Sequence, residues 1–167
     1  LGVLPIAFGM NVEFVHRETD AKICCQLGHS GAKGSTQLGW EEMDAPLSAG
    51  NWPVVSASAV PWSERNQMPK AIDRGDMDRV KEEFVTAAQM AEHAGFDMLE
   101  LHCAHGYLLS SFITPLTNKR DDEYGGSLDN RLRFGIEVLR AIRERVGSNF
   151  IVGIRMTGDG LLEDGLT

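Results

Sequence analysis

The feature that most restricts what this chain can fold into is how abruptly helical pattern gives way to strand pattern. Val80, Phe84, Ala87, Ala88 and Ala91 recur at helical spacing, and Gly95 stops them just before the run Phe96 to His102 begins. Leu132, Ile136, Leu139 and Ile142 repeat that period, Gly147 ends it, and Phe150 to Met156 (FIVGIRM) follows as a further strand. Passages this short between amphipathic helices and apolar runs are the pattern of βα units around a parallel sheet. Asp76 and Ser127 are the expected N-caps of the two helices. Ala21 to Leu27 (AKICCQL) reads as an earlier strand, and Val12 to Thr19 as the end of a helix before it. The fold class is therefore α/β.

Composition narrows the range of partners. The net charge of -8 leaves no basic stripe to neutralise phosphates, which argues against a nucleic-acid or anionic-membrane surface. No apolar run approaches the roughly 20 residues of a membrane helix, and a cytoplasmic protein is the expectation. Cys24, Cys25 and Cys103 form neither a disulfide framework nor a metal set, and they read as small buried thiols. No metal is expected.

The run HCAHGYLLSSF, from His102 to Phe112, carries the chemistry. It places two imidazoles and a phenol at the carboxyl end of a strand, which is where a βα barrel keeps its active site. His102, His105 and Tyr107 there could hold a carbonyl oxygen and deliver a proton. Either histidine alone would read as a satisfied structural residue. Gln26 and Arg155 also stand at or near strand ends, so three strands each bring a polar group to one side. Arg155 has a plainer reading as the ion-pair partner of Glu100, which shares a strand face with His102. Between Lys33 and Met68 lies a long stretch without helical period, and Trp40, Trp52 and Trp62 mark it as ordered. Those tryptophans read either as the lining of a substrate entrance or as ordinary loop packing.

HCAHGYLLSSF, the following TPLTNKR and DDEYGGSLDNRLRF together resemble the Old Yellow Enzyme family of FMN-dependent oxidoreductases. QLGHSG (Gln26 to Gly31), the helix end Ala94-Gly95-Phe96-Asp97, and Val152-Gly153-Ile154-Arg155 fall in the family's order. The resemblance implies a (β/α)8 TIM barrel, FMN as cofactor, NAD(P)H as hydride donor, and a small-molecule substrate with an activated C=C. It implies that His102 and His105 hydrogen-bond the substrate's carbonyl oxygen, with His102 also beside the flavin, and that Tyr107 donates the proton. Gln26 would read the flavin's pyrimidine edge, and Arg155 would stand near its N1–C2 carbonyl region. The segment Asn118 to Arg131 would be a structural signature, with Asp122, Tyr124, Gly125, Gly126 and Arg131 fixing a loop. Ala32 departs from the arginine many members carry there, and no cysteine run for an iron–sulfur cluster is present. Family members commonly self-associate, so a homo-oligomer is a further expectation.

KGSTQLGWE and PLSAGNWP resemble more narrowly the reductase half of bifunctional salicylyl-CoA 5-hydroxylases and 2-aminobenzoyl-CoA monooxygenase/reductases. That likeness implies an aryl-CoA thioester substrate and an upstream FAD monooxygenase. A complete barrel takes about 250 residues, so residues 1–167 are expected to form only its middle strands and helices. A third reading follows from that length: a non-catalytic truncated fragment that holds no flavin.

Overall fold

Both abrupt helix-to-strand passages are formed. In the computed structural model, which describes residues 3–166, helix α2 (Arg74–His93) leads into strand β4 (Met98–Cys103), and α4 (Leu128–Arg145) leads into β5 (Ile151–Met156). Leu1, Gly2 and Thr167, the ends of the expected 1–167 unit, lie outside the described residues. Helix α1 (Val3–Glu18) precedes β1 (Cys24–Leu27), and a short helix α3 (Leu108–Ile113) follows β4. Strands β1, β4 and β5 form one parallel sheet in that order, while β2 (Val55–Ser56) and β3 (Lys70–Ala71) pair separately. Adding each new strand beside the last, with helices on one side, is the construction of a barrel wall.

The cap of α2 differs from expectation. Asp73, not Asp76, is the N-cap; its side chain accepts from the Asp76 backbone N–H at 2.9 Å, and Asp76 reciprocates through the Asp73 N–H. The two acids form a capping box, so both satisfy donors that a helix start leaves orphaned. Ser127 caps α4 as expected.

The outward face of β4 supplies the core. Leu99, Leu101 and Cys103 are buried beneath Val80, Phe84 and Ala88 of α2 and Phe134, Val138 and Ile142 of α4. Each fully buried Leu, Val or Phe side chain contributes about 1.5–3 kcal/mol by leaving water. Phe112 of α3 completes this layer against Phe134, with ring centroids 4.9 Å apart. The buried stripe of α4 is rotated from the expected one. Phe134 and Val138 take its centre, and Ile136 is left 39% exposed.

The signature segment acts as a knot between α3 and α4. Asn118 Nδ2 donates to the carbonyls of Phe112 and Tyr124, each at 2.7 Å, and Arg131 Nε donates to Ile113 O at 2.7 Å. Tyr124 is buried, donates to Glu137 at 2.9 Å, and has its phenol pushed up to about 12 by burial and by that carboxylate. The Lys33–Met68 stretch is ordered, but its tryptophans are not core: Trp40 is 82% exposed. The expectation of three buried thiols holds for Cys103 alone, since Cys24 is exposed and Cys25 half-buried. Cys24 lies on the inward face of β1, where no helix covers it. No described helix is long and apolar enough to cross a membrane.

Candidate active site

Strand pairing decides which side chains meet. Parallel register sets Gln26 beside Glu100, Glu100 beside Gly153, and His102 beside Arg155. Paired residues share a face, so one side of the sheet carries Gln26, Glu100, His102 and Arg155, away from the helices. Gln26 Nε2 donates to Glu100 Oε1 at 2.6 Å. The expected ion pair of Arg155 with Glu100 is not formed, because Arg155 stands one row above it; among the described residues Arg155 has no ion-pair partner.

His102, Tyr107 and His105 converge at the end of β4. The His102 ring meets the His105 ring and the Tyr107 ring edge-on, each at 5.0 Å between centroids. His102 is only 6% exposed, whereas His105 is exposed and Tyr107 half-buried. The backbone N–H of Ala104 donates to His102 Nδ1 at 3.1 Å, which leaves the proton of the neutral imidazole on Nε2. Desolvation, with the nearby His105 and Arg155, lowers the His102 pKa. At neutral pH it is thus a neutral donor through Nε2, suited to an acceptor oxygen.

The loop geometry follows from local chemistry. Tyr107 ends the loop as the N-cap residue of α3, and its N–H donates to Ala104 O at 3.3 Å. His105 and Gly106 both take left-handed backbone, at φ 60° and 76°. A Cβ on Gly106 would lie 1.9 Å from the Trp62 ring, so only glycine lets that indole pack there. The Gln26–Gly31 motif is joined to the same loop: Leu108 N–H donates to His29 O at 3.0 Å, and a Cβ on Gly31 would lie 2.7 Å from Leu108 N.

Two participants, Lys33 and Gly106, escaped the sequence reading. Lys33 places its ammonium 4.2 Å from the centroid of the Trp62 ring and 5.0 Å from that of Tyr107, and donates to His105 O at 3.3 Å. Gly106 is the other, and with Trp62, one of the tryptophans offered as entrance lining, it borders a cavity of about 270 Å³ with His105, Cys103 and Leu116. Lys33 and Trp62 are separated along the chain, so no local pattern announces their contact.

The inward face suits a planar polar ring system. Gln26 offers a donor and an acceptor, Arg155 an unpaired guanidinium among the described residues, and Gly28 and Gly153 leave two positions without side chains. An isoalloxazine needs such mixed edge partners over a flat floor.

The sequence pattern of the NADH:flavin oxidoreductase / NADH oxidase family, an FMN family, matches residues 9–167. The chain belongs to that family. An NADH:flavin oxidoreductase of Gibberella zeae is 37% identical over 155 residues, covering 90% of this chain and 37% of its own length. An NADPH dehydrogenase of a Geobacillus species is 41% identical over 128 residues, covering 77% of this chain and 34% of its own. The solved complex of 2-naphthoyl-CoA reductase with 2-naphthoyl-CoA superposes on the whole chain with a TM-score of 0.84 at 26% identity, using 26% of that protein. The chain thus spans about a third of the length of these two curated relatives, and its α/β fold corresponds to part of a TIM barrel of the Old Yellow Enzyme type.

Proposed function

We infer that this chain contributes the central strands of an FMN-dependent NAD(P)H oxidoreductase that reduces a C=C conjugated to a carbonyl. The observation that carries this reading is the convergence of three rings: His102, His105 and Tyr107 meet at one strand end, with Arg155 beside His102 and Gln26 one row below on the same face. FMN, when bound and reduced by NAD(P)H, supplies the hydride.

The chain's own residues do the rest. Gln26 holds the pyrimidine edge of the flavin, and Arg155 places a positive charge beside it. His102, through Nε2–H, and His105 hold the substrate's carbonyl oxygen, where negative charge grows as hydride arrives. Donors fixed before the reaction stabilise that charge without reorganising. Tyr107 gives its phenolic proton to the substrate carbon that becomes carbanionic.

Binding of FMN and its bleaching by NADPH or NADH under anaerobic conditions test the flavin half of this reading. Quenched flavin fluorescence followed by bleaching is expected. A protein that leaves FMN fluorescent would point instead to a non-catalytic fragment.

A second reading concerns the substrate. The whole-chain superposition on 2-naphthoyl-CoA reductase, with the likeness of Lys33–Glu41 and Pro46–Pro53 to aryl-CoA reductase modules, favours an aryl-CoA thioester. Tight binding of benzoyl-CoA, judged by perturbation of the flavin spectrum, supports it; a spectrum indifferent to CoA thioesters rejects it.

A further inference from the structure

We propose that Lys33 is the positioning residue of the proton-delivery loop, fixing the loop that carries His105 and the ring of Tyr107. This rests on the reading of Tyr107 as proton donor.

A proton donor must keep its hydroxyl free for substrate, so its ring has to be held by other atoms. The Tyr107 hydroxyl has no hydrogen-bond partner among the described residues. Its ring is held instead by the edge of His102 at 5.0 Å and by the Lys33 ammonium at 5.0 Å from its centroid. A cation over an aromatic face is attracted by the ring's quadrupole, and the attraction grows where water is partly excluded.

The loop also needs an external tie. His105 and Gly106 are consecutive left-handed residues, and a histidine holds that backbone only where its surroundings impose it. Within the loop, Gly106 N–H donates to Ser110 Oγ at 3.2 Å and Tyr107 N–H donates to Ala104 O at 3.3 Å. The His105 carbonyl is taken by Lys33 Nζ at 3.3 Å. The same ammonium sits 4.2 Å from the centroid of Trp62, whose ring fills the space a side chain at Gly106 would need. One side chain at the start of the long excursion thus joins Trp62, later in that excursion, to the loop bearing His105 and Tyr107.

The test is a pair of half-reaction measurements in the flavin-loaded enzyme, on Lys33→Met, Lys33→Arg, Tyr107→Phe and the double variant Lys33→Met/Tyr107→Phe. Since misplacing a reacting group by about 1 Å costs up to about 100-fold, Lys33→Met should slow substrate reduction about 10-fold or more. Flavin reduction by NADPH should be left nearly unchanged. Lys33→Arg keeps the cation and should recover most of the rate. The Lys33→Met change should slow substrate reduction much less in the Tyr107→Phe background than in the native enzyme, because the part of its effect that acts through the Tyr107 ring disappears with the phenol, leaving only the part through His105. Equal slowing of both half-reactions by Lys33→Met, a normal rate, or an additive double variant would overturn the proposal. Lys33→Gln reads the same quantities if Lys33→Met fails to fold. If Tyr107→Phe itself leaves substrate reduction unchanged, the donor assignment falls first and the role of Lys33 falls with it.

Discussion

Replacing Gly106 by alanine measures how tightly the excursion is clamped to the reacting loop, and the structure provides an internal control. Gly106 and Gly126 have the same φ of 76°, but nothing lies within 4 Å of a Cβ built on Gly126, whereas one on Gly106 would lie 1.9 Å from Trp62. Left-handed backbone costs an alanine roughly 1–2 kcal/mol, so that is the whole expected loss for Gly126→Ala. At Gly106 the indole must also retreat by roughly 1.5 Å or more to reach an ordinary carbon–carbon separation. Trp62 is 42% exposed and can swing outward, but it then leaves the Lys33 ammonium and its packing on the loop. Overpacking of this kind costs about 1–3 kcal/mol, so the total for Gly106→Ala is about 2–5 kcal/mol. Urea unfolding of both variants, followed by tryptophan fluorescence, gives the comparison. Substrate reduction should also fall about 10-fold or more for Gly106→Ala alone, since the displaced loop carries His105 and Tyr107. Equal destabilisation of the two variants would refute the placement of the Trp62 ring.

Other consequences can be checked separately. Asp97 accepts from Ile23 N–H at 2.8 Å and pairs with His16 and Lys22, which lowers its carboxyl from 3.8 to about 2. A depressed carboxylate stabilises the fold above its unfolded pKa and loses that contribution as the pH falls through the folded one. Between pH 3.8 and about 2, the native protein should therefore lose more stability than Asp97→Asn, and parallel acid titrations would exclude this role. Asp73→Ala should cost about 1 kcal/mol through loss of the N-cap, read by thermal unfolding; a silent change would return the cap to Asp76. Burial pushes the Cys103 thiol up to about 12 while Cys24 is exposed. A thiol reagent on the native protein should therefore modify Cys24 and spare Cys103, as peptide mapping would record.

Much of this architecture was legible in the sequence because it is local. Helical periodicity, the Ser127 cap and the Gly95 stop each involve residues within a few positions, and they located α2, β4, α4 and β5 to within a few residues. The Asp73 cap was missed although a capping box has a local signature, because Asp73 and Asp76 can each serve as an acceptor. What could not be read is what register decides. That Glu100 meets Gln26 and not Arg155 depends on strand pairing, and the exposure of Cys24 depends on which face of β1 the helices cover. The two-residue strands β2 and β3 have no pattern long enough to notice. At the site, His102, His105 and Tyr107 were legible because one motif carries all three, and their rings do meet. Lys33 and Trp62 join them only through the path of the excursion.

The most direct measurement is anaerobic rapid mixing of the NADPH-reduced, FMN-loaded enzyme with cyclohexenone and, separately, with an aryl-CoA thioester, following flavin absorbance. Re-oxidation of one flavin per molecule of at least one of these substrates, slowed many-fold by Tyr107→Phe, is the result expected if these three rings receive and protonate an activated C=C. A flavin that stays reduced with both until oxygen is admitted would contradict it.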